Sequence, residues 1–205
     1  MTINSLYFDK IFNLTLKFIN SNSTDKIMHL NFIKNKFSTK LFNQKIKFTK
    51  KFPKKKIIRK NKNIIVGMNT VGLLLDRLTV LCLKLNHFKK KLKDRKKADT
   101  ILFEVKSIIK ALKNAQSIDK IDFNKITRHK IISNASNFEE AYFELLISNF
   151  ILWESQEILY NRNINNCSVN EIRDYLKLFS KYNTLRNFLI TKVENFYWQN
   201  EKKKY

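Results

Sequence analysis

Apolar residues recur at helical spacing through the part of the chain that follows residue 66. Leu74, Leu78, Leu81, Leu85, Phe88 and Leu92 lie at steps of 4, 3, 4, 3 and 4, which is the seam of an α-helix packed on other helices. Asn69 or Thr70 is placed to cap it, Gly72 falls in its first turn, and Lys89–Lys97 projects past the seam as a basic end. Ile101, Val105, Ile108 and Leu112 repeat in the same way and predict a second helix from Asp99 or Thr100 to about Ala115. The short link between the two predicts an antiparallel hairpin.

A third helix is predicted from Ser136 or Asn137 to about Tyr160, with Glu139 and Glu140 in the first turn, where the helix dipole favours acids. Phe143, Leu145, Leu146, Ile147, Phe150, Ile151, Leu152 and Trp153 make it apolar nearly all round. Such a helix is either central or meets another subunit, which would make residues 138–160 an oligomer contact. Ser168-x-x-Glu171 is a capping box that opens a fourth helix running to about Gln199. Ile172, Tyr175, Phe179, Tyr182, Leu189, Val193 and Phe196 form its stripe, with Arg186 where an apolar residue is due.

The N-terminal region is less regular. Ser5–Asn20 fits a short amphipathic helix through Leu6, Ile11, Phe12, Phe18 and Ile19, or a weak strand through Leu14, Leu16 and Phe18; we expect the helix. From Lys34 to Lys62, Phe37, Phe42, Phe48 and Phe52 are spaced among lysines, and Pro53 falls in the densest charge. With 2 Gly and 1 Pro in 205 residues, the turns that a sandwich or an α/β sheet requires are scarce. The expected fold is therefore all-α, a helical bundle of about four main helices with a basic N-terminal extension. Residues 1–66 are read as the basic arm and residues 67–205 as the helical domain.

Charge adds a second feature. The chain carries +24, unevenly: residues 1–62 hold 16 Lys and Arg against 2 acids, whereas residues 139–201 hold 6 against 9. Self-repulsion on this scale is relieved by a polyanionic partner, of which nucleic acid is the commonest and an anionic membrane face the next. An A+T-rich coding sequence also raises Lys, Asn, Ile and Phe together, and is the compositional alternative. For the arm three readings stay open: an RNA-binding extension whose cations meet phosphates while Phe stacks on bases, a targeting presequence with a single Arg, Arg59, or a solvated, partly disordered tail. On the first reading the RNA-binding residues are Lys50, Lys51, Lys54, Lys55, Lys56, Arg59, Lys60 and Lys62 in the arm, with Lys89, Lys90, Lys93, Arg95, Lys96 and Lys97 at the helix end.

Candidate chemistry is sparse. Cys82 and Cys167 do not suggest a disulfide scaffold and fit a reducing compartment, the mitochondrial matrix or the cytoplasm. Asp76–Arg77 and Ser148–Asn149 interrupt the longest apolar runs, so no transmembrane helix is expected. His29, His87 and His129 lie in different segments without ligand spacing, and there is no Glu-x-x-His. We expect no metal, no cofactor and no catalytic residue. Glu140 with Glu144, and Glu154 with Glu157, share helix faces as salt-bridge partners or solvated acids do. Asp76, Arg77, Asn149, Trp153, Tyr182, Asn183 and Arg186 are polar or amphipathic residues in or beside apolar stripes. They would form a small polar site between helices, or a buried network in which Asp76 neutralises Arg186; the second is favoured, because buried charge is normally paired.

Two fragments resemble a family of small, uncharacterised bacterial helical proteins. Asn69–Leu85, NTVGLLLDRLTVLCLKL, is similar to that family's G-E-L-[IV]-D-[KR]-L-[ST]-I-L-x-[IL]-K opening. Asn149-x-x-Leu152-Trp153 and Asn183-x-x-Arg186-Asn187 resemble its C-terminal motifs. The likeness covers about residues 67–197 and departs at Leu73, where the family usually has Glu, and at Gln156, where an acid is usual. It implies a helical fold, a context near cell-surface polysaccharide genes, and no catalytic residues. From charge placement the leading expectation is a non-enzymatic protein that binds RNA phosphates, with rRNA and neighbouring proteins as partners, as for an accessory or organellar ribosomal protein. The alternatives are a bacterial-type helical protein linked to surface-polysaccharide metabolism, and an oligomeric helical scaffold.

Overall fold

A computed structural model describes residues 5–23, 38–53, 70–113, 133–161 and 167–199. Every regular element among them is a helix: α1 (Ser5–Asn22), α2 (Ser38–Phe42), α3 (Lys45–Lys50), α4 (Val71–Asn86), a π-helical turn (His87–Lys91), α5 (Arg95–Lys113), α6 (Phe138–Asn161) and α7 (Val169–Gln199). The chain is all-α on this description. No helix among the described residues is long and apolar enough to cross a membrane.

The centre is α6. Residues 141–152 are buried without a break, because α4 and α7 pack along it on one side and α1 and α3 close the other. The all-round apolar run is thus central. Helix α1 follows the course of α4 and α6. Its start pairs Asp9 with Lys113 at the end of α5 (3.7 Å), and its end brings Ser23 to Asn86 at the end of α4 (2.9 Å). Helix α7 runs the other way, with Arg186 beside Asp76 and Glu194 beside Gly72.

The described residues of the predicted arm thus contribute to the core. Tyr7, Phe8, Ile11, Phe18 and Ile19 of α1 are buried, whereas Leu6, placed on the sequence-based stripe, is exposed. Thr15 occupies an apolar slot on that stripe, and its hydroxyl shares a 2.7 Å hydrogen bond with Tyr142 inside the core. Phe48 sits with ring centres 5.8 Å from Phe18 and 4.8 Å from Phe143, and Phe52 lies 5.8 Å from both Phe138 and Tyr142. Aromatic contacts of this kind contribute about 0.5–1.5 kcal/mol each beyond their buried area. Residues 54–66, the rest of the arm's basic run, lie outside the described residues.

The first hairpin differs from the sequence expectation in register. α4 does not continue to Leu92: it passes into the π-helical turn, which takes an extra residue per turn. That extra residue rotates Leu92 off the seam, and Leu92 is 56% exposed. Lys93 then takes a left-handed backbone (φ 50°) that stops the helix. α5 starts at Arg95, not at Asp99 or Thr100, because the Asp94 carboxylate accepts the Lys97 amide at 3.0 Å. The other caps agree with their sequence signals. Asn137 accepts the Glu140 amide at 2.9 Å, and Ser168 and Glu171 bond each other's backbone at 3.2 and 3.0 Å.

The N-terminus of α4 is held by α7. Thr70 Oγ1 accepts the Leu73 amide at 3.3 Å, and the Glu194 carboxylate accepts the Gly72 amide at 2.7 Å and the Trp198 indole N–H at 2.6 Å. Burial pushes the Glu194 carboxyl above the usual carboxylate range, partly opposed by the Gly72, Trp198 and Val71 hydrogen bonds. Gly72 is needed because a Cβ there would run into the Ile190 backbone carbonyl.

Gly72→Ala is therefore expected to destabilise the fold by about 1–3 kcal/mol in urea denaturation, despite the roughly 1 kcal/mol that Ala gains over Gly in a helix. For Glu194, the neutral carboxyl is favoured in the folded state. Its contribution is fully present below the unfolded value of about 4.3 and is lost as pH rises through the raised folded value. The stability of the wild type minus that of Glu194→Gln should fall over that window and be level above it; a level difference throughout would refute the shift.

Candidate functional site

Three helices bring polar side chains together at mid-height. Asp76 lies on the buried side of α4, one turn before Thr79; Asn149 faces it from α6 and Arg186 from α7. Arg186 donates from Nε to Asp76 Oδ1 at 2.8 Å and from Nη2 to Oδ2 at 2.5 Å, a bidentate pair. Asn149 Nδ2 donates to the same Asp76 Oδ1 at 2.8 Å and to Thr79 Oγ1 at 2.6 Å, and the Thr79 hydroxyl donates to the Asp76 carbonyl at 2.8 Å. The Asp76 side chain is 8% exposed and that of Arg186 31%, so the pair sits at the edge of the core with the arginine reaching outward. The hydrogen bonds it donates to Asp76 raise the Arg186 guanidinium above its ordinary value, against the opposing effect of burial. The network satisfies the buried carboxylate.

Of the seven polar residues singled out in the sequence, the structure joins Asp76, Asn149 and Arg186 and adds Thr79. Arg77 is not among them. It points outward to Glu104 of α5 at 3.3 Å, with both side chains well exposed, where an ion pair contributes little. Trp153 lies one turn further along α6, with its ring 5.8 Å from that of His87 at the π-helical turn. His87 Nδ1 in turn stands 3.5 Å from the Glu157 carboxylate. Tyr182 is buried on α7 with the Lys181 ammonium 5.7 Å from its ring centre, and Asn183 is half-buried beside it. Thr79 is the member that sequence reading missed. The available signal was a hydroxyl residue one turn from a buried acid.

The cations are distributed differently. Lys50 and Lys51 are exposed at the end of α3. Lys89, Lys93, Arg95, Lys96 and Lys97 are exposed around the α4–α5 turn, where Asp94 is the acid that meets them, 3.4 Å from Lys97. The Lys97 and Lys96 cations and above all the Lys97 backbone amide hold the Asp94 carboxyl below its usual range. The Lys90 side chain, and Lys54, Lys55, Lys56, Arg59, Lys60 and Lys62, lie outside the described residues. Phe48 and Phe52, expected to stack on bases, are instead core residues, and Phe42 packs against the same core; Phe37 lies outside the described residues. The α4–α5 turn is at the end of the molecule where α1 finishes. Phe52, through Phe138 and Tyr197, belongs to the opposite end. The described flanks of the arm's basic run thus sit away from Lys89–Lys97.

Compared with protein-family models, curated proteins and solved structures, the chain matches none of them.

Asp76→Ala leaves the Arg186 guanidinium without its partner and is expected to cost about 3 kcal/mol, the low end for a broken buried pair because the arginine keeps part of its hydration. In a cycle of Asp76→Ala, Arg186→Ala and the double variant, read by urea denaturation, coupling of more than about 1 kcal/mol is expected.

Proposed function

We propose that this is a non-enzymatic helical protein that binds RNA phosphates, acting as an accessory or organellar ribosomal protein beside rRNA and neighbouring proteins. In this reading the body is a bundle of four main helices, α4–α7, and the basic N-terminal extension packs on part of it and contacts RNA. The observation that carries it is the excess of cations, +24 over 205 residues, with exposed lysines and arginine clustered at the α4–α5 turn, where Asp94 pairs with Lys97. A charge of that size opposes compaction, and phosphate neutralises it with release of counterions. An anionic membrane face offers the same charge and is the competing partner.

One observation favours a second reading. Asp76, Asn149 and Arg186, which meet in one network, each come from a fragment that resembles the bacterial helical family. On that reading the network is the framework of a small site in surface-polysaccharide metabolism. It is placed second because the Asp76 oxygens are occupied by Arg186 and Asn149.

The test is binding of the nuclease-treated full chain to rRNA over a range of salt. The logarithm of affinity should fall steeply with that of salt, and Lys93→Gln with Arg95→Gln and Lys96→Gln should reduce the slope by about 2–3. Binding that is flat in salt, or absent, would end the reading.

A further inference from the structure

Helices α1 and α3 do not close completely on each other, and the cleft of about 170 Å³ left between them is basic. Lys17 stands on the α1 side, and Lys47 and Lys51 on the α3 side. All three are exposed, and none is in an ion pair among the described residues. Lys47 and Lys51 are one helical turn apart, a like-charged spacing that is unfavourable without a counterion. Among the described residues no carboxylate pairs with them: α3 has none, Asp9, the acid of α1, is directed to Lys113, and Glu140 and Glu144 of α6 pair with Lys45. The floor is formed by Phe18 and Phe48, packed edge to face at 5.8 Å and both buried.

The walls are fixed before any ligand arrives. Asn22 at the end of α1 and Gln44 before α3 exchange side-chain amide bonds at 3.0 and 3.1 Å, and Asn22 also donates to the Phe18 carbonyl at 2.9 Å. Pre-set cations of this kind bind an anion without the cost of first ordering the helices. Exposed Lys50 stands beside Lys51, so the described cations reach past the cleft, and a linear polyanion can meet all of them where a compact acidic partner meets only those at the cleft.

We propose that the α1–α3 cleft seats the backbone of single-stranded RNA, with Lys17 and Lys47 holding phosphates from opposite walls and Lys51 continuing the track. This rests on the RNA-binding reading above and gives it a location that includes two residues not singled out in the sequence. Phe18 and Phe48 are buried edge to face in the floor and present no open ring face to a base, so the cations meet the backbone and recognition is independent of sequence.

The test uses the full chain with a fluorescently labelled oligouridylate, titrated at several salt concentrations. Lys17→Gln with Lys47→Gln should lower the salt slope by about 1.4, two single-strand contacts of about 0.7 each. Lys17→Arg with Lys47→Arg should keep the wild-type slope, and Lys106→Gln with Lys110→Gln, on exposed α5 positions, should change nothing. Failure of the wild type to bind any RNA defeats the functional reading and this one together. Wild-type binding with an unchanged slope in the Lys17→Gln/Lys47→Gln variant defeats the cleft alone. So does a loss confined to phosphatidylserine vesicles, or polyglutamate binding as tight as that of the oligouridylate.

Discussion

A helix of 24 residues whose apolar side chains point in every direction has to be enclosed. That requirement on α6 organises the molecule. α4 and α7 supply two of its neighbours, and the remaining side is open unless something else covers it. α1 and α3 do so with Phe18 and Phe48, joined by Phe52 just past α3. The N-terminal region, basic as it is, is drawn onto the body by the same hydrophobic demand that builds the bundle, because leaving that side of α6 in water would forfeit about 25 cal/mol for each Å².

Enclosure also sets where polar groups are tolerated. Several polar groups on buried seams are met by a partner from another helix: Thr15 by Tyr142, Asn149 by Asp76 and Thr79, Arg186 by Asp76, and Gly72 N–H by Glu194. These contacts link α1 to α6, α6 to α4 and α4 to α7. A shift of one residue along any seam would break a bond of this set and leave a buried group unpaired, a penalty of about 1–3 kcal/mol. The network around Asp76 therefore fixes register whatever else it does.

What was legible in the sequence follows from this. The capping box at Ser168 and Glu171 and the start of α6 are local signals, and both appear where expected. The pairing of Asp76 with Arg186 was readable because an arginine on an apolar stripe needs an acid. The π-helical turn was not readable, since heptad-like spacing continues through Phe88 and Leu92 while the backbone changes pitch beneath it. α1 was only partly readable, because Thr15 interrupts its stripe and its partner Tyr142 is 127 residues away. Phe48 and Phe52 were misread for a related reason. Lysines surround them in sequence, and only the uncovered side of α6 explains why the rings turn inward while Lys47, Lys50 and Lys51 stay in water.

That separation bears on the function. When α3 lays Phe48 on α6, Lys45 pairs with Glu140 and Glu144 of α6 while Lys47 and Lys50 stay exposed, so packing and charge display become one event. A segment this rich in lysine would repel itself in isolation. Anchored by Phe48 and Phe52, it is held against α1, and Lys17 is brought up to Lys47 and Lys51 across the cleft. The hydrophobic energy of the core is what keeps these like charges together, and because none of them pairs with a carboxylate among the described residues, the anion is left to be supplied from outside.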